Sequence, residues 1–324
     1  MGVVLTFISD GHLAVLIFFV LSGYALSLGH LNLARRKLAL ATVSRYFRLM
    51  IPILVTSLIA YLLLKLNLMF NLDVATSAEK FSGWLGKFYK FDASISDAVK
   101  FSLYNVFFHY ETDRNYNSSL WTMPIEFLCS IMIYSYLGIF RVTEKVHWRL
   151  AIILMIALFA MKPLFSCFLI GYLIAEFNKK YGANYLINIL GEKNNELFLI
   201  MTFFLTAVVS TFFRADDHVD CLFASIIVIT ISLSKIMQSF FTNGLSSYLG
   251  RISFPLYLIQ IPIICSWSSY LYLKIPELGI DIISANIINL FCTILLCLLL
   301  ATTLLPIEKL SVTYSKKIAN LLLN

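Results

Sequence analysis

The chain has 324 residues, of which 60% are hydrophobic and only 13% charged, with a mean hydropathy of +0.84. A soluble domain is about half apolar and about a quarter charged, so a single aqueous core is excluded and a polytopic helical membrane protein is expected. The net charge is +7, from 25 Lys plus Arg against 18 Asp plus Glu. In a membrane protein that surplus belongs first to basic cytoplasmic loops, and no basic stripe lies on a soluble module to suggest nucleic-acid binding.

Met1 to Ile8 is short and uncharged, without the basic start of a signal peptide. About nine apolar runs then follow, judged against the roughly 20 residues a span requires. The first is Leu13 to Leu28. A basic loop, His30 to Ser44, leads to Arg45 to Leu66. The polar segment Asn67 to Ser118 is rich in aromatics and too short in its apolar parts to cross, so it reads as an ordered loop with interfacial helices. Leu120 to Phe140 comes next. Trp148 to Ala160 and Leu164 to Phe177 form a pair around Met161-Lys162-Pro163. Leu197 to Phe213 and Cys221 to Leu233 form another around Arg214 to His218. Ile252 to Tyr272 and Ile282 to Leu305 close the set, before a basic tail. Several runs are shorter than a full crossing, which implies tilt or burial inside the bundle.

Alternate loops carry Arg35, Arg36, Lys37 and Arg45, then Arg141, Lys145 and Arg149, then Lys179, Lys180 and Lys193, then Lys309, Lys316 and Lys317. The opposite set holds little beyond Lys162, Arg214 and Lys274. This bias puts the basic loops in the cytoplasm and places His12 and the 67–118 loop outside. The six cysteines, Cys129, Cys167, Cys221, Cys265, Cys292 and Cys297, lie in or beside apolar runs without metal-ligand spacing. They read as small buried hydrophobes, with neither a disulfide nor a zinc site expected.

Four clusters carry chemistry. The run Gly11 to Tyr24 puts His12 at the mouth of an apolar helix and the small pair Ser22-Gly23 within it. Small residues let helices approach closely, and an imidazole at a lipid boundary faces a cavity or an interface. Arg45 and Arg48, three residues apart, project from one helix face. Two guanidiniums so placed suit a phosphate or pyrophosphate; equally, such a pair anchors a helix by snorkelling to the cytoplasmic surface. Glu126 follows Trp121 inside an apolar run, where a carboxylate is costly unless paired or protonated. It is either functional or bonded to another helix. Trp121 suits an interfacial anchor as well as a substrate platform, and Pro124 is ordinary first-turn chemistry. Ser253, Tyr257 and Gln260 form a polar stripe at i, i+4 and i+7 that should face the bundle interior, for interhelical bonding or for a site. His109 reads as interfacial, and His30, His147 and His218 as loop residues.

Together these clusters resemble the acyltransferase-3 family of integral membrane O-acyltransferases. Val15 to Tyr24, with Phe18-Phe19-Val20-Leu21-Ser22-Gly23, is similar to the family's FFVLSG signature. Arg45-Tyr46-Phe47-Arg48 with Pro52 is similar to its R-x-x-R-x-x-P element. Trp121 to Glu126 resembles its W-[ST]-[LM]-x-x-E, and Leu249 to Leu258 its last motif. The four occur in family order across nearly the whole chain.

The resemblance implies about ten transmembrane helices in a lipid bilayer. It also implies acyl-CoA, usually acetyl-CoA, as a co-substrate bound from the cytoplasmic side. The acyl group would pass to a hydroxyl of a carbohydrate, glycolipid or small molecule. On that analogy Arg45 and Arg48 hold the coenzyme A phosphates, and Glu126 shapes or charge-balances the chamber. His12 is a candidate base, while Ser22, Trp121, Ser253, Tyr257 and Gln260 are candidate substrate contacts. Two departures stand out. The family's further first helix, with its Arg and His, has no counterpart after Met1, so the upstream reading frame becomes informative. The His that often follows the last motif is Gln260, which donates a hydrogen bond but carries no proton. The alternatives are a shortened, inactive relative or a polytopic transporter, although the repeated halves common in transporters are not visible.

Overall fold

In lipid every backbone amide and carbonyl must find its partner within the protein, which leaves an apolar run the choice of helix or closed barrel. The computed structural model describes residues 7, 9–31, 34–78, 83–140, 147–181, 192–213 and 216–323, with main chain alone at 147 and 192–195. Arg141, Lys145 and Arg214, the side chains of His147 and Lys193, and the Met1 to Thr6 stretch lie outside the described residues. Among the described residues the chain is helical, with no strand.

The helices are α1 (Gly11–His30), α2 (Arg35–Lys65), α3 (Asn71–Ser77), α4 (Ile95–Lys100), α5 (Met123–Phe140), α6 (His147–Met161) and α7 (Pro163–Tyr181). They continue as α8 (Glu192–Ser210), α9 (Asp217–Leu233), α10 (Lys235–Phe241), α11 (Gly244–Ile263), α12 (Ser269–Lys274) and α13 (Ile282–Leu323). Among the described residues, five helical stretches are long and apolar enough to cross a membrane: 11–30, 35–65, 118–140, 244–278 and 282–323. Counting α9 and α10 as one span bent by 98° makes six. Trp148–Met161 and Glu196–Ser210 are apolar but shorter. The chain is therefore a multi-pass helical membrane protein.

Two expected boundaries move. His30 ends α1 and α2 begins at Arg35, so most of the expected basic loop is helix, because Arg-Arg-Lys-Leu-Ala-Leu-Ala consists of strong helix formers. At the other end α13 passes through Pro306 to Leu323. A proline removes one amide donor and strains one turn, and here the helix continues, so Lys309, Lys316 and Lys317 sit on helix. The pair around Lys162 is resolved as two helices, α6 and α7, packed on one another.

The chain divides into two units, 1–42 with 125–247 and 43–124 with 248–324. In the first, α7 lies along α1 over its largest interface, and α9 packs on both. Leu13, Leu16, Phe19 and Val20 of α1 meet Cys167, Phe168 and Tyr172 of α7 and Cys221, Ala224 and Ile227 of α9 in one buried cluster. The reason for the closeness is glycine. A Cβ on Gly23 would stand 2.1 Å from the Phe168 carbonyl oxygen, and one on Gly171 would stand 2.1 Å from that of Val20. Ser234 separates α9 from α10, its hydroxyl donating to Glu196 Oε2 at 2.6 Å, while Lys235 N donates to Glu196 Oε1 at 2.7 Å.

In the second unit the 67–118 segment is knitted by side chains that replace missing backbone bonds. Asn71 Nδ2 donates to the carbonyls of Leu85 and Phe88 at 2.9 and 3.1 Å. Tyr89 Oη donates to Tyr116 O at 3.0 Å, and Tyr116 Oη to Asp97 Oδ2 at 3.2 Å. Burial first, and then the Asp97 carboxylate, push the Tyr116 phenol above its ordinary range. The segment is tied to α11 and the π-helical turn after it by Asn117 Nδ2 on Leu258 O at 2.7 Å and by Phe70 N on Cys265 O at 2.9 Å.

Candidate functional site

In the first unit, the first turns of α1, α7 and α9 gather at one end. Asp10 caps α1, accepting from Leu13 N at 3.1 Å. Asp216 caps α9, accepting from His218 N at 2.8 Å and Val219 N at 3.2 Å. His12 stands between them. Its Nδ1 lies 2.7 Å from Asp220 Oδ2 and its Nε2 lies 3.0 Å from Asp217 Oδ1. The Asp220 side chain is 0% exposed, the imidazole 31% and Asp217 45%, so the ring spans from a buried carboxylate to an accessible one. Asp217 also forms the wall of a cavity of about 670 Å³, with Ile125, Lys162, Pro163, Asp216 and His218.

Sequence reasoning named His12 and missed Asp217 and Asp220. The available signal was their spacing: three residues apart at the start of an apolar helix, they share one face. His218 is the second residue of α9, its ring edge-on to Phe159 at 5.3 Å, and His30 closes α1 against Tyr134 at 4.8 Å. Both are therefore helical, where loops were expected. His109 is exposed beside Glu111, Nε2 to Oε1 3.2 Å.

Glu126 sits in the first turn of α5 and is 1% exposed. Ser130 donates to the Glu126 carbonyl at 2.6 Å. Ser22 is half-buried on α1, and its neighbour Gly23 makes the close approach.

In the second unit, Arg45 and Arg48 lie one turn apart on α2, the first half-buried and the second exposed. Tyr46 between them donates from Oη to the carbonyl of Leu103, in the π-helical turn Phe101–Asn105 that follows α4. Such turns break the regular backbone pattern and open carbonyls to side chains. Arg48 interacts electrostatically with Glu308 of α13. Of the polar stripe on α11, two members converge on one turn. Tyr257 Oη bonds Thr122 Oγ1 at 2.6 Å and the Ser119 carbonyl, and Gln260 Nε2 donates to Ser119 Oγ at 3.3 Å. Ser253 departs from the expected inward stripe: it is exposed and donates to Gly250 O within its own turn at 2.8 Å. Trp121 is exposed. Gln260 further lines a mainly apolar cavity of about 600 Å³ with Leu256, Ser268, Asn289 and Thr293.

A family model described as an acyltransferase domain, that of acyltransferase-3, matches residues 2–305. The chain belongs to the acyltransferase-3 family. No curated protein and no solved structure matches it. The match runs through all four motif clusters, and with the apolar helices it makes the chain a multi-pass membrane acyltransferase.

The amides of Val219 and His218, bonded to the Asp216 carboxylate, hold its pKa below the ordinary value. A carboxyl lowered in the folded state stabilises above its unfolded pKa of about 3.9 and loses that contribution as pH falls through the folded value. Asp216→Ala is expected to lower the thermal midpoint at neutral pH, the gap from wild type closing as the buffer is taken below about pH 4. Thermal scans across that range check it.

Proposed function

We propose that this protein transfers an acyl group from acyl-CoA, acetyl-CoA being the simplest donor, to the hydroxyl of a carbohydrate, glycolipid or other small acceptor. The observation that supports the reading most is His12, held by buried Asp220 beside a cavity lined with carboxylate, imidazole and ammonium groups. Thioester acyl transfer needs a base for the acceptor hydroxyl. The acceptor enters the cavity and displaces the accessible Asp217 carboxylate from Nε2. His12 Nε2 then takes the hydroxyl proton as the oxygen attacks the thioester carbonyl carbon. The tetrahedral intermediate collapses to the ester as its C–S bond breaks, and coenzyme A leaves as thiolate, which takes the proton from His12 and restores the base. Glu126, on the neighbouring helix start, balances charge in the chamber. Ser22, Trp121, Ser253, Tyr257 and Gln260 are assigned to substrate contact, the last two on the strength of their shared bonding to Ser119.

Arg45 and Arg48 take the coenzyme phosphates. The chain acts as one membrane-embedded domain crossing about nine times, its shorter helices tilted or buried. Its basic loops are cytoplasmic; His12, Lys162, His218 and the 67–118 segment face outward.

The test is release of free coenzyme A by the protein in proteoliposomes. A charge-assisted phosphate bond contributes about 1.5–3 kcal/mol, so Arg45→Ala and Arg48→Ala should each raise KM for acyl-CoA about 10-fold to 100-fold with kcat nearly unchanged. An Arg48→Ala protein with wild-type KM would remove the donor assignment and leave the pair as a snorkelling anchor.

A further inference from the structure

Behind the His12–Asp220 pair lie two thiols. Cys167 is in the second turn of α7 and Cys221 in that of α9, next in sequence to Asp220. Both are 0% exposed, their sulfurs are 3.0 Å apart, and Ser166 Oγ lies 3.4 Å from Cys221 Sγ. Carbon atoms in contact rest about 3.5–4.0 Å apart, and sulfur is larger, so these sulfurs are closer than packing alone requires. The packing of small hydrophobes accounts for cysteines such as Cys297, with no sulfur partner among the described residues, whereas Cys167 Sγ and Cys221 Sγ, from different helices, meet head-on with the Cys167 thiol donating to the Cys221 sulfur, the juxtaposition that oxidation would convert into a covalent bond.

We propose that Cys167 and Cys221 form a disulfide that ties α7 to α9 and fixes the helix turn carrying Asp220. Both thiols lose their protons. A dithiol-oxidising protein supplies the disulfide that accepts the two electrons, through a mixed-disulfide intermediate, and leaves as its own dithiol. Because both sulfurs are fully enclosed once α7 and α9 are packed, exchange takes place before these helices close, and the finished bond is shielded from reductant. The oxidation rests on the outward orientation proposed above for this end, since disulfides form and persist on that side. Cys129, also 0% exposed, interacts electrostatically with Cys167 but has no sulfur contact of its own at this distance among the described residues.

The experiment counts thiols in the full chain. Membranes are quenched in acid and denatured, free thiols are blocked with N-ethylmaleimide, and the protein is then reduced and labelled with a polyethylene-glycol maleimide. Two labels per chain are expected, absent in Cys167→Ser and in Cys221→Ser and retained in Cys129→Ser. Because the protein is denatured before counting, a folding defect in a variant does not blur the wild-type result. No label after reduction, or two labels retained in Cys167→Ser, overturns the proposal. Orientation is read separately, by a membrane-impermeant maleimide on Met161→Cys in right-side-out and inside-out vesicles. Outward labelling with no disulfide sinks the cross-link alone. Inward labelling sinks the proposed orientation, whatever the thiol count.

Discussion

Gly23→Ala is expected to shorten the folded lifetime of the protein in detergent more than any other single-methyl change on α1, with Gly171→Ala close behind. An added Cβ at Gly23 meets the Phe168 carbonyl oxygen at 2.1 Å and its carbon at 2.7 Å; at Gly171 it meets Val20 O at 2.1 Å and Tyr24 N at 2.5 Å. Each obstacle is backbone, so rotating a side chain relieves nothing and the helices must part. In a membrane protein that contact is held by van der Waals packing of small residues, and parting it unseats Phe19 against Phe168, 5.2 Å between ring centroids. Overpacking costs about 1–3 kcal/mol, occasionally more, and a clash this deep belongs at the upper end. Gly29 on the same helix is the control, since nothing stands within 4 Å of its added Cβ. There alanine should be neutral or gain up to about 1 kcal/mol of helix propensity. Thermal inactivation followed by size-exclusion homogeneity compares the three. Equal midpoints for Gly23→Ala and Gly29→Ala would show that α1 and α7 do not meet at these glycines.

That contact also shows what a sequence discloses. Ser22-Gly23 announces a close approach because nothing else recommends glycine inside an apolar helix, yet Gly171 as its partner is invisible. Which helices pair is decided by packing over well over a hundred residues of chain. Composition gave the helical membrane class directly, since 60% apolar residues admit little else. Helix ends were less legible. Charged stretches such as Arg35 to Lys37 and Lys309 to Lys317 look like loops by hydropathy; the first favours helix by propensity, and both are helix. At the candidate site, His12 was legible because an imidazole at an apolar mouth is anomalous. Asp217 and Asp220 were not, since an acidic first turn is ordinary helix chemistry. Only the approach of α9 to α1 turns them into partners of the ring. Tyr257 and Gln260 were legible as a stripe, whereas Ser253 shares the period but is exposed, its hydroxyl satisfied by Gly250 within its own turn.

The second large effect is expected at that ring. His12→Ala should lower kcat for coenzyme A release about 10²-fold to 10⁴-fold, the usual contribution of a positioned base, while KM for acyl-CoA stays near wild type because no donor contact is lost. Asp220→Asn should act in the same direction. It keeps a polar group of the same shape 2.7 Å from Nδ1 but withdraws the charge that fixes the tautomer and supports the protonated ring. The competing account makes His12 a clasp joining α1 to α9 through its two carboxylates. On that account both variants lose thermal stability, and kcat per folded molecule is unchanged. Two measurements separate the accounts: kcat well below the melting midpoint, corrected for folded fraction, and rescue of His12→Ala by added imidazole. The cavity of about 670 Å³ that Asp217 walls admits a free imidazole, so a base role predicts partial recovery that rises with imidazole concentration. A clasp predicts none, because a free ring cannot tie two helices. Full kcat in His12→Ala, or loss of kcat that tracks the folded fraction alone, would dismiss His12 as the base.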